Sequence, residues 1–320
     1  MRISISVGLL LPLALSACQR AEPPVEPAPT GPGYRVVLQW GGPGNGPGQF
    51  DGAQGIAVDA EGRVYVADAE NCRVQVFSPS SRFLAAWGEC GEGPGQFRKP
   101  VDVAVDAAGR VYVADFMLDR VQVLDRDGRF VHAWGRTGPR PGELSAPVGV
   151  AVDANGNVYV SEFYNHRVQK FSSTGESLLS WGGEGNQPGQ LHYPGKLAVA
   201  PDGSVYVADA HNYRIQKFDP RGKLSGAWGT AGTWQGQFQD PVDVEVDAQG
   251  RMHVADSGNF RVQWLSPEGA FVAQWNLPAP AGPKFQSPQA IARDARGYLY
   301  VTDIASNRIY KLEAIEGGPQ

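Results

Sequence analysis

Residues 100–135 read PVDVAVDAAGRVYVADFMLDRVQVLDRDGRFVHAWG. Short runs rich in Val, Tyr and Phe alternate with turns, and they parse into four strands, Val101–Asp106, Arg110–Asp115, Arg120–Leu124 and Arg129–Trp134, here called a, b, c and d. The pattern recurs along the chain. Trp40, Trp87, Trp134, Trp181, Trp228 and Trp275 stand 47 residues apart with no insertion or deletion. The same period carries Arg73, Arg120, Arg167, Arg214, Arg261 and Arg308, then Gly62, Gly109, Gly156, Gly203, Gly250 and Gly297, and the acids Asp68, Asp115, Glu162, Asp209, Asp256 and Asp303. A repeat of this length built from four strands must stack on its neighbours to bury its faces. That predicts an all-β fold, a β-propeller and not a helical solenoid.

Counting strands predicts how the ring closes. Five units begin near residues 54, 101, 148, 195 and 242 and carry all four strands, whereas the sixth, Gln289 to Leu312, stops after strand c. Its missing strand lies at the other end of the chain, where Tyr34–Trp40 (YRVVLQW) is a lone d-type strand. Pairing the two closes a ring of six blades and removes the open sheet edges. The composition agrees: 41 Gly and 25 Pro in 320 residues are too many for a helical bundle, while 8 Trp, 11 Tyr and 13 Phe are too many for a disordered chain. A formal charge of −5 gives no footprint for a polyanion, so no nucleic acid is expected as partner.

The recurring PVDVAVDAAGRVYVAD and DRVQVLDRDGRFVHAWG, with siblings such as GIAVDAEGRVYVADAENCRVQVF, resemble the NHL repeat over about residues 34–312. The resemblance implies a six-bladed propeller, in agreement with the strand count. Its functions are broad, from protein and RNA binding in tripartite-motif proteins to the lyase chemistry of peptidyl-hydroxyglycine amidating lyase, so it speaks to fold more than to function.

The N-terminus predicts an address. Arg2 is followed by an apolar run from Ile3 to Leu15, too short for a membrane span of roughly 20 residues but suited to a signal peptide over residues 1–17. Leu15-Ser16-Ala17-Cys18 resembles a bacterial lipobox, which implies that Cys18 becomes the first mature residue and carries acyl chains through its sulfur and its new amino group. Gln19 follows in place of the Asp that resembles an inner-membrane retention signal, favouring the outer membrane, so the expected location is the cell envelope, on its periplasmic or surface side. Residues 18–33 then form a Pro-rich tether that, extended at ~3.1 Å per residue, holds the propeller (34–312, with a tail at 313–320) up to about 45 Å from the bilayer. The lipid is the only membrane contact expected.

Residues that repeat in every blade are read as scaffold: the acid ending strand b and the Arg five residues on meet across a hairpin, and each Trp packs between blades. The glycine-rich stretch 41–48 opens no helix, and its PGQF ending recurs at 94–97, so it is no phosphate loop. Function is expected where repeats differ. The b–c loops share a face with the d–a loops and read AENC (69–72), FMLD (116–119), FYNH (163–166), AHNY (210–213), SGNF (257–260) and IASN (304–307). Phe116, Met117 and Leu118, then Phe163, Tyr164 and His166, then His211 and Tyr213 put apolar or aromatic groups on three consecutive blades, a binding face for an envelope protein or a small ligand.

No catalytic set is legible, since GxSxG, HExxH and CxxC are all missing, and neither cofactor nor metal is expected. A zinc site on His166, His192 and His211 is the geometric alternative and would make the protein a metal-dependent lyase or hydrolase. The resembling amidating lyase sets its zinc histidines directly after the proline opening strand a, where this chain has Val101, Val148, Gly195, Val242 and Gln289. One position further in, Asp102 and Asp243 face each other half a turn apart, with room for a cation or a role capping turns. Cys72 and Cys90 remain once Cys18 is lipidated; Cys72 lies opposite Trp87 in the c–d hairpin and Gly88-Glu89 can bend Cys90 back, so a disulfide is expected. A monomeric binding scaffold is the reading that these features favour.

Overall fold

The computed structural model describes residues 33–276 and 285–315; Cys18, the expected signal segment and tether ahead of Gly33, and the residues beyond Ile315 lie outside them. Six antiparallel sheets of four strands each make a six-bladed propeller. Blade 2 holds Pro100–Val105, Val111–Asp115, Arg120–Leu124 and Phe130–Trp134 as strands a to d. Strand a ends a residue earlier than the sequence suggested, because the Asp106 carboxylate accepts the amides of Ala108 and Arg110 (both 2.9 Å) and caps the turn. Blade 6 holds Pro288–Arg293, Leu299–Asp303 and Arg308–Ile315, with Gly33–Gly41 antiparallel to the last of these, Tyr34 opposite Ala314 and Trp40 opposite Ile309.

Burial follows the position of a strand in its blade. Strand b (VYVAD in blades 1, 2 and 4) is buried at every residue because both of its faces meet neighbouring blades. The outermost strand d alternates, as in Phe83–Trp87, where every second side chain meets water. The periodic tryptophans join the blades. Trp134 lies against the c–d turn of blade 3 at Gly175, where a Cβ would come 2.6 Å from the indole and φ is +87°, so only glycine fits. Strand a from every blade lines a central channel.

Candidate functional site

Each strand b ends on a fully buried acid. In blade 4, Asp209 accepts hydrogen bonds from the His192 amide (2.8 Å), the Asn212 side chain (2.9 Å), Arg214 Nε (2.7 Å) and the Gln216 side chain (2.9 Å). Arg214 reaches on to the carbonyls of Asn186, Gln187 and Gln190, so one acid–arginine unit fixes the b–c turn and the loop leading into the blade. Blades 1, 3 and 5 repeat the pair as Asp68–Arg73, Glu162–Arg167 and Asp256–Arg261. Blades 2 and 6 depart from the expected pairing: neither Asp115 with Arg120 nor Asp303 with Arg308 forms an ion pair among the described residues, and Asp303 accepts the amides of Gln286 (2.7 Å), Ser287 and Ser306 (both 3.2 Å) instead. In blade 2, Leu118 stands where blades 1, 3, 4 and 5 have Asn71, Asn165, Asn212 and Asn259; with no side-chain donor there, Asp115 turns to the amides of Arg98 and Lys99, and Arg120 binds only the carbonyls of Glu92, Gly93 and Gln96.

On this frame the variable loops of blades 2 to 4 build one continuous aromatic surface. Phe116 meets Phe163 and Tyr164 with ring centres 6.3 and 6.2 Å apart, and Phe163 meets Tyr164 at 5.3 Å. Tyr193 is the hub, 4.7 Å from Phe163, 4.4 Å from His166, and 4.8 Å from both His192 and His211. Tyr164 is 57 % and Met117 54 % exposed, so the patch has a projecting apolar rim. Leu118 is half-buried and Tyr213 is exposed at the end of the short 3-10 turn Ala210–Asn212; neither makes a ring contact with the patch among the described residues. Tyr193 and His192 lie in a d–a loop, outside the b–c loops whose departures from the repeat mark the binding face in the sequence. Tyr193 sits in a d–a loop with φ of 45°, and a bulky residue held in the left-handed region was the signal that sequence alone does not display.

His166 is buried beneath the patch and not on it. Its Nδ1 accepts the Tyr193 amide at 2.9 Å, and burial, with His192 and His211 nearby, holds its imidazole below the ordinary histidine range. The equivalent position links neighbouring blades elsewhere by other chemistry. Asp119 accepts the Ala146 amide (2.7 Å), Asn307 accepts those of Gly52 and Ala53, and Cys72 is joined to Cys90 by a disulfide with Cα atoms 5.0 Å apart. His166 is therefore a connector that orders Tyr193.

The channel is charged at its loop-face end. Lys196 Nζ lies 2.9 Å from Asp102 Oδ1 and 3.1 Å from the Val101 carbonyl, all well buried, so the cation facing Asp102 is the chain's own lysine. The Lys196 amide donates to the Val242 carbonyl (2.8 Å), which draws the start of strand a of blade 4 toward blade 5 and sets this side chain in the lumen.

Residues 50–77, 144–171 and 191–218 each match the NHL repeat. The chain carries NHL repeats. No curated protein matches the sequence. Among solved structures, the NHL propeller is similar to a streptogramin B lyase, at 14 % identity over 89 % of this chain and 98 % of that one, with a TM-score of 0.61. It is also similar to a protein of unknown function from Bacteroides thetaiotaomicron (20 %, 89 % and 76 %, TM-score 0.66) and to XC5397, a gluconolactonase from Xanthomonas campestris (17 %, 83 % and 88 %, TM-score 0.62). Likenesses this distant show the fold alone. The zinc of the amidating lyase does not fit the residues present: the positions after the strand a prolines carry no ligand, the His166 Nδ1 is already engaged, and no three His, Cys, Asp or Glu among the described residues are placed to hold a metal.

Proposed function

We propose that this NHL propeller is a binding module of the bacterial cell envelope, anchored by acyl chains on Cys18, that captures a partner protein on the aromatic face of blades 2 to 4. The observation that carries the reading is the continuous contact of Phe116, Phe163, Tyr164 and Tyr193, rimmed by side chains more than half exposed at Met117 and Tyr164. Tyr, Phe and Met are enriched in protein interfaces, the aromatics because they bury much area while losing little side-chain entropy and Met because its flexible thioether adapts to a partner's surface. An apolar rim held open to water costs solubility unless a partner covers it. The scaffold beneath supports the same reading, since the acid–arginine units of blades 3 and 4 keep their loops rigid and so lower the ordering cost of docking.

Photo-crosslinking in cells from position 117, with Phe130 on the outer edge of blade 2 as the control position, tests the face. A defined adduct from 117 that is missing from 130 supports capture of a partner; equal or no adducts contradict it. Membrane fractionation of Cys18→Ala tests the anchor, with release to the soluble fraction expected. A metal-dependent lyase or hydrolase would instead retain stoichiometric metal after purification.

A further inference from the structure

Strand a builds the lumen in layers. At the level of Ala57, Ala104, Ala151, Ala198 and Ala292 five blades contribute a methyl group, and blade 5 alone contributes a carboxylate, Glu245. Two residues toward the loop face stand Asp102, Lys196 and Asp243, each 5 % exposed. Lys196 is engaged by Asp102 at 2.9 Å. Asp243 receives only backbone amides, from Val244 (2.8 Å) and Ile291 (2.7 Å), and forms no ion pair among the described residues. Glu245, whose surface faces the lumen, has no hydrogen-bond partner among them. The lumen thus holds three acids, with Lys196 paired to Asp102 at one end and Arg293 paired to Asp247 (2.9 Å) at the other, while Asp243 and Glu245 form no ion pair among the described residues.

That space is a cavity of about 280 Å³. A 150 Å³ cavity holds benzene, so by proportion this one holds about ten non-hydrogen atoms. Its chemistry is divided: the unpaired carboxylates Asp243 and Glu245 on the blade 5 wall, the Asp102–Lys196 pair across the loop-face end, and methyl groups on the remaining walls. A bare metal ion would need oxygen ligands all round, and the alanine layer supplies none. An alkyl chain ending in an ammonium matches both walls, with the charge among the acids and the methylenes on the alanines. We propose that the propeller lumen is a binding site for a small aliphatic amine, its ammonium between Asp243 and Glu245 and its chain against Ala57, Ala104 and Ala151. Lys196 crosses the loop-face end, so the ligand enters at the opposite mouth, ringed by valines such as Val58 and Val152 and by Arg293. Burial, with the neighbouring carboxylates, pushes Asp243 up to about 7 and Glu245 to about 8 against the pull of Lys196 and Arg293, and the amine would take the place of their protons.

Calorimetric titration of the full-length protein with n-butylamine, and separately with calcium chloride, tests the site. One-site amine binding is expected, weakened roughly tenfold or more by Glu245→Ala through loss of a charge-assisted partner. That substitution gives blade 5 the residue of the other five, and an unchanged or raised melting temperature checks that the fold is intact. Asp243→Asn should also weaken binding. Amine affinity equal in native protein and Glu245→Ala, no amine binding by the native protein, or Glu245-dependent binding of calcium but not of the amine would each overturn the proposal.

Discussion

A single acid shows why these blades hold their loops so firmly. Asp209 collects a guanidinium, two side-chain amides and a backbone N–H in a fully buried site, whereas Asp115 collects two backbone amides and no arginine. Removing one partner of a buried ion pair costs about 3 kcal/mol or more, because the other charge is left uncompensated. Asp209→Ala should therefore lower stability in urea by roughly that amount, and Asp115→Ala by clearly less, although the sequence presents the two as equivalent. Glu245 predicts a pH effect. Its folded pKa, about 8, and that of Asp243, about 7, lie above the ordinary 4.5 and 3.8, so the native state binds more protons than the unfolded one over that span, and stability falls as pH rises through it. His253, held down to about 3 by burial, and His166, also held low, work the other way, but their effect fades about one pH unit above their ordinary 6.5. Melting temperatures between about pH 7.5 and 9 should thus decline, and Glu245→Ala should flatten the decline; an equally steep profile in the variant would remove Glu245 as its source.

Among elements, the closing strand Gly33–Gly41 is the one whose loss affects the whole ring. It covers strand Arg308–Ile315 of blade 6, and its Tyr34 packs edge-on to Trp275 of blade 5 (4.5 Å) with its hydroxyl 2.9 Å from His253 Nε2. His253 stands where five blades carry a tyrosine, Tyr65 and Tyr300 among them, so blade 5 gives up a tyrosine hydroxyl and gains a partner for the closing strand. A chain beginning at Gly41 loses seven paired residues and the seam with blade 5, and its melting temperature should fall by on the order of 10 °C. An unchanged value in a thermal scan would mean that the ring does not depend on this strand. The four-strand unit, the count of six and the strand at the N-terminus were legible because Trp, Gly and the acid repeat at one spacing, and packing periodicity is what a sequence displays most openly. The Lys196–Asp102 contact was not, since it joins residues 94 positions apart through a channel that exists only once the ring has formed.

At the scale of the molecule, a constant frame carries a variable face. Phe116, Phe163, Tyr164 and His211 were visible as departures from the repeat in adjacent b–c loops, and the structure brings their rings together. Tyr193 at the centre escaped because a left-handed backbone position has no mark in the sequence, and His166 was read as surface although the neighbouring loop folds over it. The frame spends its charges on itself, which leaves apolar contact as the means by which the face acts. If so, a rim residue should carry a large share of the docking energy while contributing little to the fold. The direct measurement is the affinity of the crosslinked partner for the native protein and for Tyr164→Ala. A loss of roughly 2 kcal/mol, about thirtyfold, at an unchanged melting temperature is the result expected of a projecting aromatic side chain that the partner buries. An affinity unaltered by Tyr164→Ala would contradict the assignment of function to this face.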